Sequence, residues 1–171
     1  LRLKGRLFME FSDVIKNRYS CKKFSSEQIG KDKLDAILEA GRVAPTAKNL
    51  QEQHIYVVQS ESALETIDKL TPCRYNAPTV LIVAYNKNNV FTYLGDKRNS
   101  GIEDATIVAT HLMLAAYNEG VDSCWINFFN PDELAKAFNL PEDEEILMLL
   151  DLGVADKTTT PLPNHNSRKA L

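Results

Sequence analysis

Thr79-Val80-Leu81-Ile82-Val83-Ala84 is an uninterrupted apolar run rich in β-branched residues. A strand with one wet face alternates polar and apolar residues. A run without polar breaks marks a central strand covered on both faces. That segment points to a layered domain, with a sheet in the middle and other elements on each side of it. The chain has 171 residues, which suits one domain, and at 44% apolar and 25% charged it can bury a core.

The pattern around the run supplies the layers. Phe11, Val14 and Ile15 share one helix face, with Arg18 arriving at its C-terminal end. Lys31 to Arg42 reads as a helix with Leu34, Ile37, Leu38 and Gly41 on one stripe. Ala44-Pro45 stops it, because a residue before proline disfavours the helical region. His54 to Gln59 reads as a strand, and Glu61 to Leu70 as a short helix. A polar loop spans Asn86 to Asn99. Ile102 to Tyr117 is the longest expected helix; it is apolar nearly all the way round, so it belongs in a core or an interface. Gly120 is a good stop for it. Val121 to Phe129 is a strand candidate. Asn130-Pro131-Asp132-Glu133 carries the cap, the first-turn proline and the third-position acid of a helix start, and the helix runs to about Phe138. Glu145 to Leu152 is a last buried strand. About five helices and four strands define an α+β or α/β class. Residues 1–8 precede Met9, are basic, and lack the apolar centre of a signal peptide. They are read as an N-terminal extension outside the fold.

Several chemistries are excluded. No two of the seven glycines lie two apart, so neither a dinucleotide fingerprint nor a Walker loop is present. There is no GxSxG, HExxH or paired-cysteine metal motif. Cys21, Cys73 and Cys124 are an odd number without a CxxC pair, best read as reduced thiols in a cytoplasmic protein. The net charge of −3 offers no global field for nucleic acid, and no apolar run approaches the length of a membrane span. The acid pairs Glu103-Asp104 and Asp143-Glu144-Glu145 read as helix-start and loop charge.

Three segments remain. In Arg18-Tyr19-Ser20-Cys21-Lys22-Lys23-Phe24, cations and a hydroxyl recur at every second position, and an extended chain points alternate side chains the same way. Arg18, Ser20 and Lys22 can then grip one anion; the plainer reading is a solvated basic turn. Ala44 to Gln51 concentrates small and amide side chains between a helix and a strand. Thr46, Asn49 and Gln51 supply the donors and acceptors that reading a planar heterocycle needs, or simply form a polar loop. Ser123-Cys124-Trp125-Ile126-Asn127 holds the only tryptophan, either a core anchor or the wall of a flat ligand.

Taken in order, these segments resemble the FMN-dependent nitroreductase family, in its short, minimal form. The resemblance rests on Arg-x-Ser-x-Lys-x-Phe, Ala-Pro-Thr-Ala-x-Asn-x-Gln before a strand, Asn-Ala-Pro before a buried strand, a long alanine-rich helix ending in Gly, Ser-Cys-Trp-Ile, and a late Arg-Lys. It runs from about Met9 to Lys169. It implies an α+β fold with a central, mostly antiparallel sheet flanked by helices in three layers, residues 9–171 as a single FMN-binding domain, and a homodimer with one FMN per subunit at the interface. By position, Arg18, Tyr19, Ser20 and Lys22 would hold the phosphate and ribityl end, and Arg168 with Lys169 would add a second clamp. Pro45, Thr46, Ala47, Asn49 and Gln51 would reach a flavin bound mainly to the other subunit. The backbone at Trp125, Ile126 and Asn127 would lie by the isoalloxazine. NADH or NADPH would reduce flavin N5 in a ping-pong cycle, and a nitroaromatic, quinone or similar small acceptor would reoxidise it. The protein then needs no catalytic acid or base of its own. The chain departs from the family pattern at Lys22, where many relatives carry Arg, and at Glu52, where proline is common. A flavin-handling protein without turnover, or a binder of some other phosphorylated metabolite, are the alternatives; neither nucleic acid nor membrane is an expected partner.

Overall fold

The computed structural model describes residues 2–3, 6–7, 9–95 and 97–170. A small antiparallel pair, β1 (Arg2–Leu3) and β2 (Arg6–Leu7), lies in the expected N-terminal extension. The main elements follow in the order α1 (Phe11–Asn17), α2 (Lys31–Arg42), β3 (Gln53–Val58), α3 (Glu61–Leu70), β4 (Thr79–Asn86), α4 (Gly101–Asn118), β5 (Asp122–Ile126), α5 (Pro131–Ala137) and β6 (Glu144–Gly153). Beyond the β1–β2 pair, the strands form one four-stranded sheet in the order β3-β4-β6-β5, antiparallel throughout.

The run at 79–84 is the inner strand β4, with every residue from Thr79 to Tyr85 buried. Its alternate side chains enter two cores, as the pleat requires. Val80, Ile82 and Ala84 pack with Ile67 of α3 and Leu134 of α5. Leu81 and Val83 pack with Ile37 of α2 and with Val108, Ala109 and Leu112 of α4. Each fully buried Val, Leu or Ile contributes about 1.5–3 kcal/mol, so the two-sided core carries the fold. Gly41 lets α2 approach α4, because a Cβ there would stand 2.7 Å from Leu112 Cδ2.

Two expectations change. The strand at 121–129 ends at Ile126. β6 starts at Glu144, whose buried carboxylate accepts from His54 and the Tyr56 hydroxyl; it is a structural anchor rather than loop charge. The apolar face of α1 is largely uncovered: Val14 is buried, but Phe11 is 68% exposed and Ile15 is exposed too. α4 likewise buries one stripe from Asp104 to Ala116 while Ile102 and Ile107 face outward. Among the described residues no helix is long and apolar enough to cross a membrane.

Candidate functional site

The segment after α1 is extended, and it is held at both of its ends. Ser20 bridges Ser123 of β5 in parallel, and the Cys21 amide donates to the Ser123 carbonyl at 2.9 Å. The Phe24 amide donates to the Tyr75 carbonyl at 3.0 Å, and Phe24 bridges Ala155 beyond β6. Around these ties Cys21 and Phe24 are buried, Ser20 and Lys23 are exposed, and Arg18, Tyr19 and Lys22 are half-buried, so strict alternation holds only from Ser20 to Lys22. Among the described residues Arg18 makes no ion pair and no side-chain hydrogen bond, and neither does the Ser20 hydroxyl. Their donors stand uncommitted on one edge of the sheet.

Lys22 is engaged differently. Its Nζ lies 3.2 Å from the Tyr75 hydroxyl and 4.7 Å from the centre of that ring. Burial works against its charge, but the Tyr75 hydroxyl and the Cys124 thiol outweigh it and raise its pKa, so the ammonium stays protonated. Tyr75 carries no signature in the sequence; it sits with φ 53° and Asn76 with φ 65°, in the turn that opens β4.

The C-terminal tail returns to this edge. The His165 ring meets Tyr19 edge-on, with centroids 6.4 Å apart. Arg168 Nη1 donates to the carbonyls of His165 and Ser167 in its own tail, at 2.6 and 2.7 Å. Lys169 is exposed. At the end of β5, Trp125 is half-buried and its indole N–H donates to Asn127 Oδ1 at 2.8 Å. Ile126 is buried.

The loop from Pro45 to Gln51 is strained. Lys48, Asn49 and Gln51 have φ of 52°, 55° and 55°, three non-glycine residues in the left-handed region within four positions. Such conformations cost of order 1–3 kcal/mol each and persist where surrounding contacts impose them, often at ligand sites. Here the contacts are specific. Thr46 Oγ1 accepts from the Gln51 amide at 3.0 Å, and Gln51 Nε2 donates to the Asn49 carbonyl at 3.2 Å. The Ala47 amide donates to Asp104 Oδ1 at 2.9 Å. Thr46 and Gln51 thus make bonds within the loop itself, whereas the Asn49 side chain is exposed and without a partner among the described residues. Asp104 is more than helix-start charge: it is buried and holds the loop. Its signal was an acid one turn inside an otherwise apolar helix.

The two halves do not meet within one chain. The strained loop is tied to the first turn of α4, whereas Ser20 is tied to Ser123, just past the last turn. An 18-residue helix is about 27 Å long.

The sheet order and the helical layers define an α+β fold. The model of the nitroreductase family matches residues 15–74 and 71–154, and the chain belongs to that family. A nitroreductase family protein of Clostridium difficile 630 is 32% identical in sequence and superposes with a TM-score of 0.89, covering 95% of each chain. An FMN-dependent nitroreductase of Clostridium difficile R20291 shares the fold at 23% identity and a TM-score of 0.76, covering 92% of this chain and 98% of its own. A Bacillus subtilis strain 168 protein named as a candidate NAD(P)H nitroreductase, YodC, is 28% identical over 92% of this chain and 93% of its own.

Proposed function

We propose that the protein is an FMN-dependent oxidoreductase. In this reading two copies form a homodimer, NADH or NADPH is the electron donor, and donor and acceptor use one open site in turn. The observation that carries it is the split of the site within one chain. Uncommitted phosphate donors stand past one end of α4, and a strained reading loop stands at the other. A second copy related by a two-fold axis completes two sites at once. Family membership and the FMN dependence of the Clostridium difficile R20291 relative support the same cofactor.

The residues present fit FMN. Arg18 and Ser20 offer a charged fork and a hydroxyl with no internal partner, the donor set a phosphate needs. Arg168, in the tail that meets Tyr19 through His165, adds a second cation. Lys22, kept protonated against Tyr75, brings positive charge to the same edge. Asn49 would read the ring from the partner subunit, and the main chain at Trp125–Asn127 would flank it. Bound there, FMN supplies hydride chemistry between a nicotinamide and a small acceptor such as a nitroaromatic or a quinone. The chain's own task is to bind, orient and exclude water.

The test is the absorption spectrum of the purified protein followed by anaerobic titration with NADH and NADPH. The expected result is a flavin spectrum bleached by one or both. Flavin absorbance that neither nicotinamide bleaches would favour a flavin-handling protein. A colourless protein that fails to take up added FMN would overturn the cofactor assignment.

A further inference from the structure

Glu52 follows the strained loop and stands where the family pattern commonly has proline. Its side chain is 4% exposed, and both carboxyl oxygens are buried with no hydrogen-bond donor. It faces Asp104 of α4, also 4% exposed, whose Oδ1 holds the Ala47 amide and whose Oδ2 is buried without a donor. Three buried carboxyl oxygens without donors are costly as two anions. One proton between them removes a charge and supplies the missing donor. We propose that Glu52 and Asp104 share a proton, and that this proton positions the 45–51 loop for the cofactor.

Within that arrangement Asp104 works through Ala47, and Glu52 works through Asp104. Both are positioning residues, neither touching the reacting atoms. Burial, helped by the neighbouring Asp104 carboxylate and opposed by Glu52's own backbone amide, pushes the Glu52 carboxyl up from 4.5 to about 7. Of the titratable and charged groups around the pair, Tyr93 feels the Asp104 charge, while the main partners of the rest lie elsewhere. Tyr93 bonds outward to Glu103, the Tyr85 phenol to Glu145, and Lys48 lies over the Phe91 ring at 4.9 Å. The sign follows from the raised value. The anchored loop keeps the proton at pH values where a solvated glutamate has lost it, so its advantage is full at low pH and fades as pH rises through about 7. Above that, two buried carboxylates repel, and the Ala47 amide loses a well-placed acceptor.

The inference rests on the FMN reading only for its second readout. The first readout follows the backbone amide resonances of residues 46–50 by NMR from pH 5 to 9. The second is the FMN dissociation constant from quenching of flavin fluorescence over the same range. In the wild type the Ala47 amide should move in one step near neutrality, and FMN should bind several-fold more weakly above the step than below it. Glu52→Gln, whose amide donates to Asp104 without titrating, should flatten both curves at the low-pH values. Asp104→Asn should move the step to lower pH by removing the neighbouring charge. A step that survives Glu52→Gln would overturn the shared proton. An amide step without any change in FMN affinity would overturn the positioning role. Failure to bind FMN at any pH would sink the cofactor reading, and with it the role in positioning for FMN, while the amide step would still decide whether the proton is shared.

Discussion

The His165 imidazole sits edge-on to the Tyr19 ring, at 80° between planes. It pins an otherwise irregular tail beside the segment that carries Arg18 and Ser20. Burial, with Asp122 and Cys21 nearby, pushes the Tyr19 phenol up to about 12, so the ring stays neutral. An aromatic pair of this kind is worth about 0.5–1.5 kcal/mol. His165→Ala should therefore release Arg168 and weaken FMN binding by roughly two- to twelve-fold. Fluorescence titration of the apoprotein with FMN checks this, and an unchanged affinity would remove the tail from the site.

Arg18 should matter more. Its guanidinium has no internal partner among the described residues, so its removal leaves the fold alone and takes away one charge-assisted phosphate contact. That contact is worth roughly 1.5–3 kcal/mol, or about a ten- to hundred-fold change in affinity. Arg18→Ala should show this loss with little change in melting temperature of the apoprotein, and Ser20→Ala a smaller loss in the same assay. Equal affinities for Arg18→Ala and wild type would refute the phosphate assignment.

Much of this was legible in the chain, for local reasons. The run at 79–84 announced an inner strand because nothing in it tolerates water. The bounds Lys31–Arg42 and Glu61–Leu70 came straight from apolar spacing and stop signals. Asn130 caps α5 as its type and position required, accepting from the amides of Asp132 and Glu133. For the proposed site, residue types and alternate spacing pointed to Arg18 and Ser20 as candidate anion donors. It was illegible where partners distant in sequence decide. Lys22 meets Tyr75 across 53 positions, and Asp104 meets Ala47 across 57. No local pattern encodes such pairs. The same holds for α1, where spacing gives an apolar face without saying what covers it.

That face bears on assembly. Met9, Phe11 and Val14 join His111 and Leu114 of α4 in lining an open groove of about 320 Å³. Ile107 lies exposed one turn earlier along α4. In the proposed homodimer these residues would belong to the interface, which resembles a core cut in half. Phe11→Asp should shift the protein toward monomer in light scattering and lower FMN occupancy in proportion, since each site needs both copies. A Phe11→Asp protein that stays dimeric with full FMN would place the interface elsewhere.

Gly101 offers a test of the link between packing and site. A Cβ there would lie 2.3 Å from Tyr85 Cε2, 2.7 Å from Cδ2 and 3.0 Å from Cζ. The Tyr85 ring is itself buried in β4 and cannot swing away. Overpacking of this sort costs about 1–3 kcal/mol. The gain in helix propensity is small at a first-turn position, so the clash wins. Gly101→Ala should lower the melting temperature by roughly 2–12 °C for a chain of this size. Gly30→Ala is the control: a Cβ there meets nothing within 4 Å and φ is −65°, so stability should hold within about 0.5 kcal/mol. The same Gly101→Ala change pushes the start of α4 off the sheet, and with it Asp104, three residues on, which holds the Ala47 amide. FMN affinity should fall along with stability in Gly101→Ala and in neither respect in Gly30→Ala. If Gly101→Ala melts early yet binds FMN as tightly as wild type, the loop does not depend on the first turn of α4.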